Sequence, residues 1–205
     1  MSNGAQNCSL ARLTLWRGSL FIFAQKAILH YKTIMKIGLL GGSFNPAHDG
    51  HLHISNIALH KLGLRQLWWL VSPQNPLKNT DDMADFVVRY DHACAIAADN
   101  PNIKVLGIEA ELGTVYTADT IRRLHLKFPH YEFVWLMGAD NLVQLPQWKN
   151  WENICKQLHI HVFDRNEHLY EAMNGKAVAK YADKIHYHYI RKNSQSATQI
   201  RQKLD

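Results

Sequence analysis

No apolar run in the chain approaches the roughly 20 residues that a membrane-spanning helix needs. The best candidate, Leu20-Phe21-Ile22-Phe23-Ala24, is far too short. Cysteine is scarce: Cys8, Cys94 and Cys155 lie far apart with no CxxC pair. That excludes a disulfide scaffold, gives no sign of structural zinc, and fits a reducing, cytoplasmic setting. Only 11 glycines and 6 prolines occur in 205 residues, too few for a collagen-like or disordered chain. No internal repeat is visible. Both standard phosphate-binding signatures, GxxxxGK[ST] and GxGxxG, are missing.

Acidic residues are absent from the first 34 positions, which hold Arg12, Arg17, Lys26 and Lys32. This locates the charge. The whole chain carries 23 basic against 17 acidic residues, and the part beyond residue 34 carries 19 against 17, a net of only +2. A body so near neutral argues against nucleic acid as the main partner. Residues 1–34 show neither a helical nor a strand period. They are read as an N-terminal extension, poorly ordered or reflecting a start assigned ahead of Met35, with the domain proper at 35–205. That length suffices for one domain with a sizeable core. Whether the chain forms a homo-oligomer is left open.

From Met35 onward short apolar runs alternate with helical patterns. Strands are predicted at 37–40, 67–71, 103–108, 131–137, 159–163 and 185–190. Helices are predicted at 50–63, at 117–128, and along the stripe Met83, Phe86, Val87, Tyr90, Cys94 and Ala97. A last helix at 196–204 opens with a capping pattern, Ser196-Ala197-Thr198-Gln199. Such alternation predicts an α/β fold, a Rossmann-like doubly wound parallel sheet with helices on both faces. In sheets of this kind ligands lie beyond the carboxyl ends of the strands.

The segment after the first predicted strand runs Gly41-Gly42-Ser43-Phe44-Asn45-Pro46-Ala47-His48-Asp49-Gly50-His51 and leads into a helix. Glycines allow close approach of backbone to a ligand. The helix start offers N–H groups and a positive dipole end to an anion. Two imidazoles three residues apart, His48 and His51, could reach the same phosphate. A metal reading is disfavoured, because His51 and His53 point to different sides of a helix.

Gly42-Ser43-Phe44-Asn45-Pro46-x-His48-x-Gly50-His51 resembles the GSFNPxHxGH signature of the HxGH nucleotidyltransferase superfamily. Within that superfamily it resembles the bacterial nicotinate-nucleotide adenylyltransferases. Ser196-Ala197-Thr198-Gln199-Ile200-Arg201 resembles the superfamily's second, ISSTxIR-like signature. Tyr116-Thr117, Gly138-Ala139-Asp140-Asn141-Leu142 and Leu145-Pro146-Gln147-Trp148 match as well. The resemblance spans about residues 35–203. It implies transfer of an adenylyl group from ATP to nicotinate mononucleotide, with Mg²⁺ bound through the substrate phosphates. His48 and His51 would be catalytic. Gly42, Ser43, Phe44, Gly138, Asp140, Arg165, Ser196, Thr198 and Arg201 would join them in binding ATP, although Arg165-Asn166-Glu167 departs from the Arg-Pro-Gly common at that point. Asn75, Lys78, Thr117, Trp148 and Lys149 would receive the mononucleotide, with Trp148 stacking on the pyridine ring. Many such proteins continue well beyond the arginine of the second signature, so any assembly contact made by that tail is expected to be missing. Two alternatives stand beside this reading: another HxGH enzyme such as a pantetheine-phosphate adenylyltransferase or a cytidylyltransferase, and a nucleotide-sensing module without catalysis.

Overall fold

The computed structural model describes residues 34–73, 83–164 and 169–190. The expectations for the N-terminal extension, Asn75, Lys78, Arg165 and the 196–204 helix with Ser196, Thr198 and Arg201 lie outside the described residues. Six strands form one sheet: β1 (Met35–Gly42), β2 (Gln66–Val71), β3 (Ile103–Leu106), β4 (Tyr131–Gly138), β5 (His159–Asp164) and β6 (Ile185–Tyr189). Their order is β3-β2-β1-β4-β5-β6, and every neighbouring pair is parallel. This is the Rossmann-like doubly wound arrangement. The direction of winding reverses between β1 and β4, so a crevice opens beyond their carboxyl ends.

Apolar residues alternate along the strands and feed two cores, one on each face. Ile37 and Leu39 of β1, Trp68 and Leu70 of β2, and Phe133, Trp135 and Met137 of β4 point to one face. There they meet α3 (Ile108–Leu112), α4 (Thr117–Lys127), α5 (Ala139–Gln144), α6 (Trp151–Gln157), α7 (Leu169–Met173) and α8 (Lys176–Tyr181). Leu40, Leu67, Trp69, Val71, Val134 and Leu136 point to the other face. They are covered by α1 (Asp49–Lys61) and α2 (Phe86–Ala97). Helix α4 shows the logic of these elements: Ala118, Ile121 and Leu124 are buried at helical spacing while Leu126, off that stripe, is exposed.

Two expectations need correction. The third strand ends at Leu106; Gly107 precedes α3, and Ile108 is buried as its first residue. On α2 the inward face is Arg89, Ala93 and Ala97, with Phe86 and Tyr90 half-buried, whereas Val87 is 64% exposed. An arginine holds a place that an apolar count assigns to valine, because backbone carbonyls satisfy its guanidinium.

At the β5–β6 edge the strand register puts four imidazoles together. His159 Nδ1 lies 2.8 Å from His186 Nε2, and His161 Nδ1 lies 2.9 Å from His188 Nε2. The His186 ring stacks on those of both His159 and His161, and His188 stacks on Phe163. Burial, reinforced by His188, His186, Lys36 and His159, pushes the His161 pKa down to about 3. Burial also lowers those of His159 and His188.

Candidate active site

The first element of the candidate site is the start of α1. His48 has extended backbone and caps the helix: the Gly50 N–H donates to His48 Nδ1 at 3.0 Å. The His48 N–H in turn donates to His51 Nδ1 at 3.2 Å. This is a capping box built from two histidines in place of the usual hydroxyl and carboxylate. A backbone N–H can only donate, so both Nδ1 atoms act as acceptors and each neutral ring carries its proton on Nε2. The local hydrogen bonds therefore turn two imidazoles into a pair of Nε2–H donors, with ring centroids 4.0 Å apart.

The pair is held from behind. The Phe44 ring lies 4.8 Å from His51 and stacks 5.1 Å from Trp69 of β2. Trp69 Nε1 donates to Ser55 Oγ at 2.8 Å, and Ser55 Oγ donates to the His51 carbonyl at 2.7 Å. Phe44, expected to bind ATP, is 2% exposed, and its ring packs behind His51. Its φ of 48° lies in the left-handed region, which a bulky residue rarely occupies and which costs on the order of 1–3 kcal/mol.

Two glycines bring the neighbouring strand ends close. A Cβ on Gly41 would sit 2.6 Å from Trp135 Cη2. Trp135 in turn meets Trp148 edge-on at 6.3 Å. Gly138 ends β4 and begins α5, and a Cβ there would collide with Asp140 Oδ1. Gly138 and Asp140 thus stand beside the β1 exit, across the winding reversal.

Of the residues expected to hold the acceptor, Thr117, Trp148 and Lys149 lie within the described residues. Thr117 is the first residue of α4, and the Lys149 ammonium sits 4.1 Å over the ring of Tyr116, which precedes it. Trp148 is half-buried against the β1/β4 face through Trp135. So Gly42, Ser43, Phe44, His48, His51, Gly138 and Asp140 lie at the carboxyl ends of β1 and β4. Thr117 and Lys149 flank Tyr116, and Trp148 joins the β1 end through Trp135 and Gly41.

Arg89 was missed in the sequence. It is 2% exposed. Its Nε donates to the Ala84 carbonyl at 2.8 Å, Nη1 to those of Ser43 (2.5 Å) and Ser72 (2.9 Å), and Nη2 to that of Pro73 (2.9 Å). Burial lowers its pKa. The sequence shows only that, within the run 86, 89, 90, 93 and 97, it is the one charged residue. Glu109 was missed too. Burial raises its pKa against hydrogen bonds with Ser72 and Thr120. Among the described residues no group of three His, Cys, Asp or Glu side chains could hold a metal ion.

A family model described as cytidylyltransferase-like matches residues 39–203. The chain belongs to the cytidylyltransferase-like family. Three relatives carry the name "Probable nicotinate-nucleotide adenylyltransferase". The protein of that name from Parvibaculum lavamentivorans is 56% identical over 64% of this chain and 65% of its own. Those from Erythrobacter litoralis and Agrobacterium fabrum are 50% and 47% identical, over 71% and 64% of this chain and 66% and 70% of their own. The match therefore spans just under two thirds of the length of the first two. Among solved structures, the fold is similar to "Plasmodium falciparum nicotinic acid mononucleotide adenylyltransferase complexed with NaAD". The TM-score is 0.68 at 18% identity, over 82% of this chain and 83% of that one. The same Plasmodium enzyme "complexed with APC" gives a TM-score of 0.66 at 17% identity, over the same shares of the two chains.

Proposed function

We propose that the chain transfers the adenylyl group of ATP to nicotinate mononucleotide, giving nicotinate adenine dinucleotide and pyrophosphate, in the cytoplasm. One observation carries the proposal: at the helix N-terminus that follows β1, two histidines cap each other through Nδ1, which leaves the N–H of each neutral ring on Nε2. That arrangement suits a polyphosphate chain. The names of the relatives supply the substrates that fit it.

The chemistry needs no protein nucleophile. A phosphate oxygen of the mononucleotide attacks the α-phosphorus of ATP in line. The bond from that phosphorus to the bridging α–β oxygen breaks, and pyrophosphate leaves with the electron pair. Catalysis is then positioning and charge stabilisation. His48 and His51 donate to the phosphate oxygens as negative charge moves toward the leaving group. Asp140 accepts hydrogen bonds from the ribose hydroxyls, beside the bare Gly138 backbone. Ser196, Thr198, Arg201 and Arg165 form the second anion clamp, a role read from their sequence alone. Trp148 offers its face to the pyridine ring, and Thr117 and Lys149 receive the nicotinate carboxylate. Asn75 and Lys78 are assigned to the mononucleotide on sequence alone. Mg²⁺ bound through the substrate phosphates would neutralise part of their charge, with no carboxylate cage required from the chain.

The test is a panel. The protein is incubated with ATP and Mg²⁺ and, separately, nicotinate mononucleotide, nicotinamide mononucleotide or phosphopantetheine, and pyrophosphate is followed. Release is expected with nicotinate mononucleotide above the others. Release with phosphopantetheine alone would move the chain to the pantetheine-phosphate branch, and no release with any acceptor would support a sensing module.

A further inference from the structure

We propose that Arg89 is a positioning residue for adenylyl transfer, locking the phosphate-facing loop after β1 to the chain leaving β2. The inference rests on the adenylyl-transfer reading of the site. Arg89 extends from α2 into the place where three stretches of backbone meet: Ser43 after β1, Ser72 and Pro73 after β2, and Ala84 ahead of its own helix. Four donated hydrogen bonds, all to carbonyls, fix a guanidinium that is 2% exposed. None of these acceptors lies on a side chain, so what Arg89 sets is the course of the main chain.

The consequence for the site follows from peptide geometry. The Ser43–Phe44 peptide is trans; among the described residues the one cis bond lies at Asn45-Pro46. In a trans peptide C=O and N–H point in opposite directions. With the Ser43 carbonyl drawn onto Arg89, the Phe44 N–H points away from it, and Phe44 takes its left-handed conformation at φ 48°. The same loop then delivers His48 and His51. The grip is doubled by neighbouring contacts: Ser72 N–H donates to the Gly42 carbonyl at 2.9 Å, and Ala84 N–H to Asn45 Oδ1 at 3.3 Å. Beyond Ser72, Glu109 bonds to both Ser72 and Thr120, carrying the connection into the first turn of α4, beside Thr117. Arg89 thus fixes the direction of the Phe44 N–H within the loop that carries the two imidazoles and ties that loop to the chain leaving β2.

Lysine keeps the charge but presents its three N–H donors from a single atom, without the fork. In R89K the four carbonyls cannot all be held. The expected result is a protein that still folds, with kcat per folded molecule down about 10²-fold, the scale of a loop misplaced by an ångström. KM for ATP and for the mononucleotide should change far less. A kcat per folded molecule within threefold of the parent would overturn the proposal. Should R89K not fold, the unaltered protein decides: the Phe44 amide proton is followed by NMR while a non-hydrolysable ATP analogue is added. A clear shift at saturation supports Arg89 as the residue that orients it; an unmoved signal overturns it. Absence of pyrophosphate release from the unaltered protein would sink the activity itself, whereas a fully active R89K would sink only the role of Arg89.

Discussion

Replacing His161 by phenylalanine should remove a large part of the protein's sensitivity to acid. His161 is 8% exposed. It lies against His186 and His188, with His159 and Lys36 adding positive charge, and its pKa in the folded chain is near 3 against an ordinary 6.5. Lys61 faces His188, and Lys184 and Glu132 face His159. The folded state keeps the ring neutral; the unfolded chain takes up a proton once the pH drops below 6.5. Stability from this residue is therefore complete above 6.5 and declines as the pH falls toward 3. Each unit in that window costs about 1.4 kcal/mol, so moving from pH 7 to 4.5 removes roughly 2–3 kcal/mol through His161 alone. His159 and His188 act in the same direction, since their pKa values are lowered too. Phenylalanine keeps the stacking and cannot protonate. Urea unfolding of parent and H161F at pH 7 and pH 4.5 reads the effect. At a slope of about 2 kcal/mol per molar urea, the parent's midpoint should fall by about 1 M more than the variant's. An equal fall in both would refute the reasoning.

Gly41→Ala drives a methyl group to 2.6 Å from Trp135 Cη2. It should cost about 1–3 kcal/mol and lower Tm by several degrees in calorimetry; an unchanged Tm would contradict the close packing. Ser55→Ala removes the hydroxyl that joins Trp69 Nε1 to the His51 carbonyl. The orphaned indole N–H should cost about 1–3 kcal/mol in urea unfolding, with a fall in kcat as His51 loosens; a parent-like midpoint would show that the bridge carries nothing. Trp148→Ala should raise KM for nicotinate mononucleotide more than KM for ATP in steady-state assays, and equal changes would count against stacking.

The sheet was legible because its strands are short apolar runs between turn residues, and 131–137 and 67–71 come within a residue of β4 and β2. Helices α5 to α8 were not, since each has seven residues or fewer and so too few turns for a period to show. In the site, His48 and His51 stood out by type and spacing. Their mutual cap did not, because it depends on which ring nitrogen meets which amide. Phe44 read as a site residue from its place in the signature; its ring is buried because the left-handed turn swings it under His51. Arg89 escaped notice since a charged residue on an apolar helix face counts as a break in the pattern until the carbonyls around it are known.

The orientation of the two imidazoles is the point on which the account of the site turns, and ¹⁵N NMR of the histidine-labelled protein observes it directly. Both His48 and His51 should show an unprotonated, hydrogen-bonded Nδ1 and a protonated Nε2, and the Nε2–H signals of both should move when an ATP analogue is added. Protons found on Nδ1, or Nε2–H signals unmoved at saturating nucleotide, would contradict it.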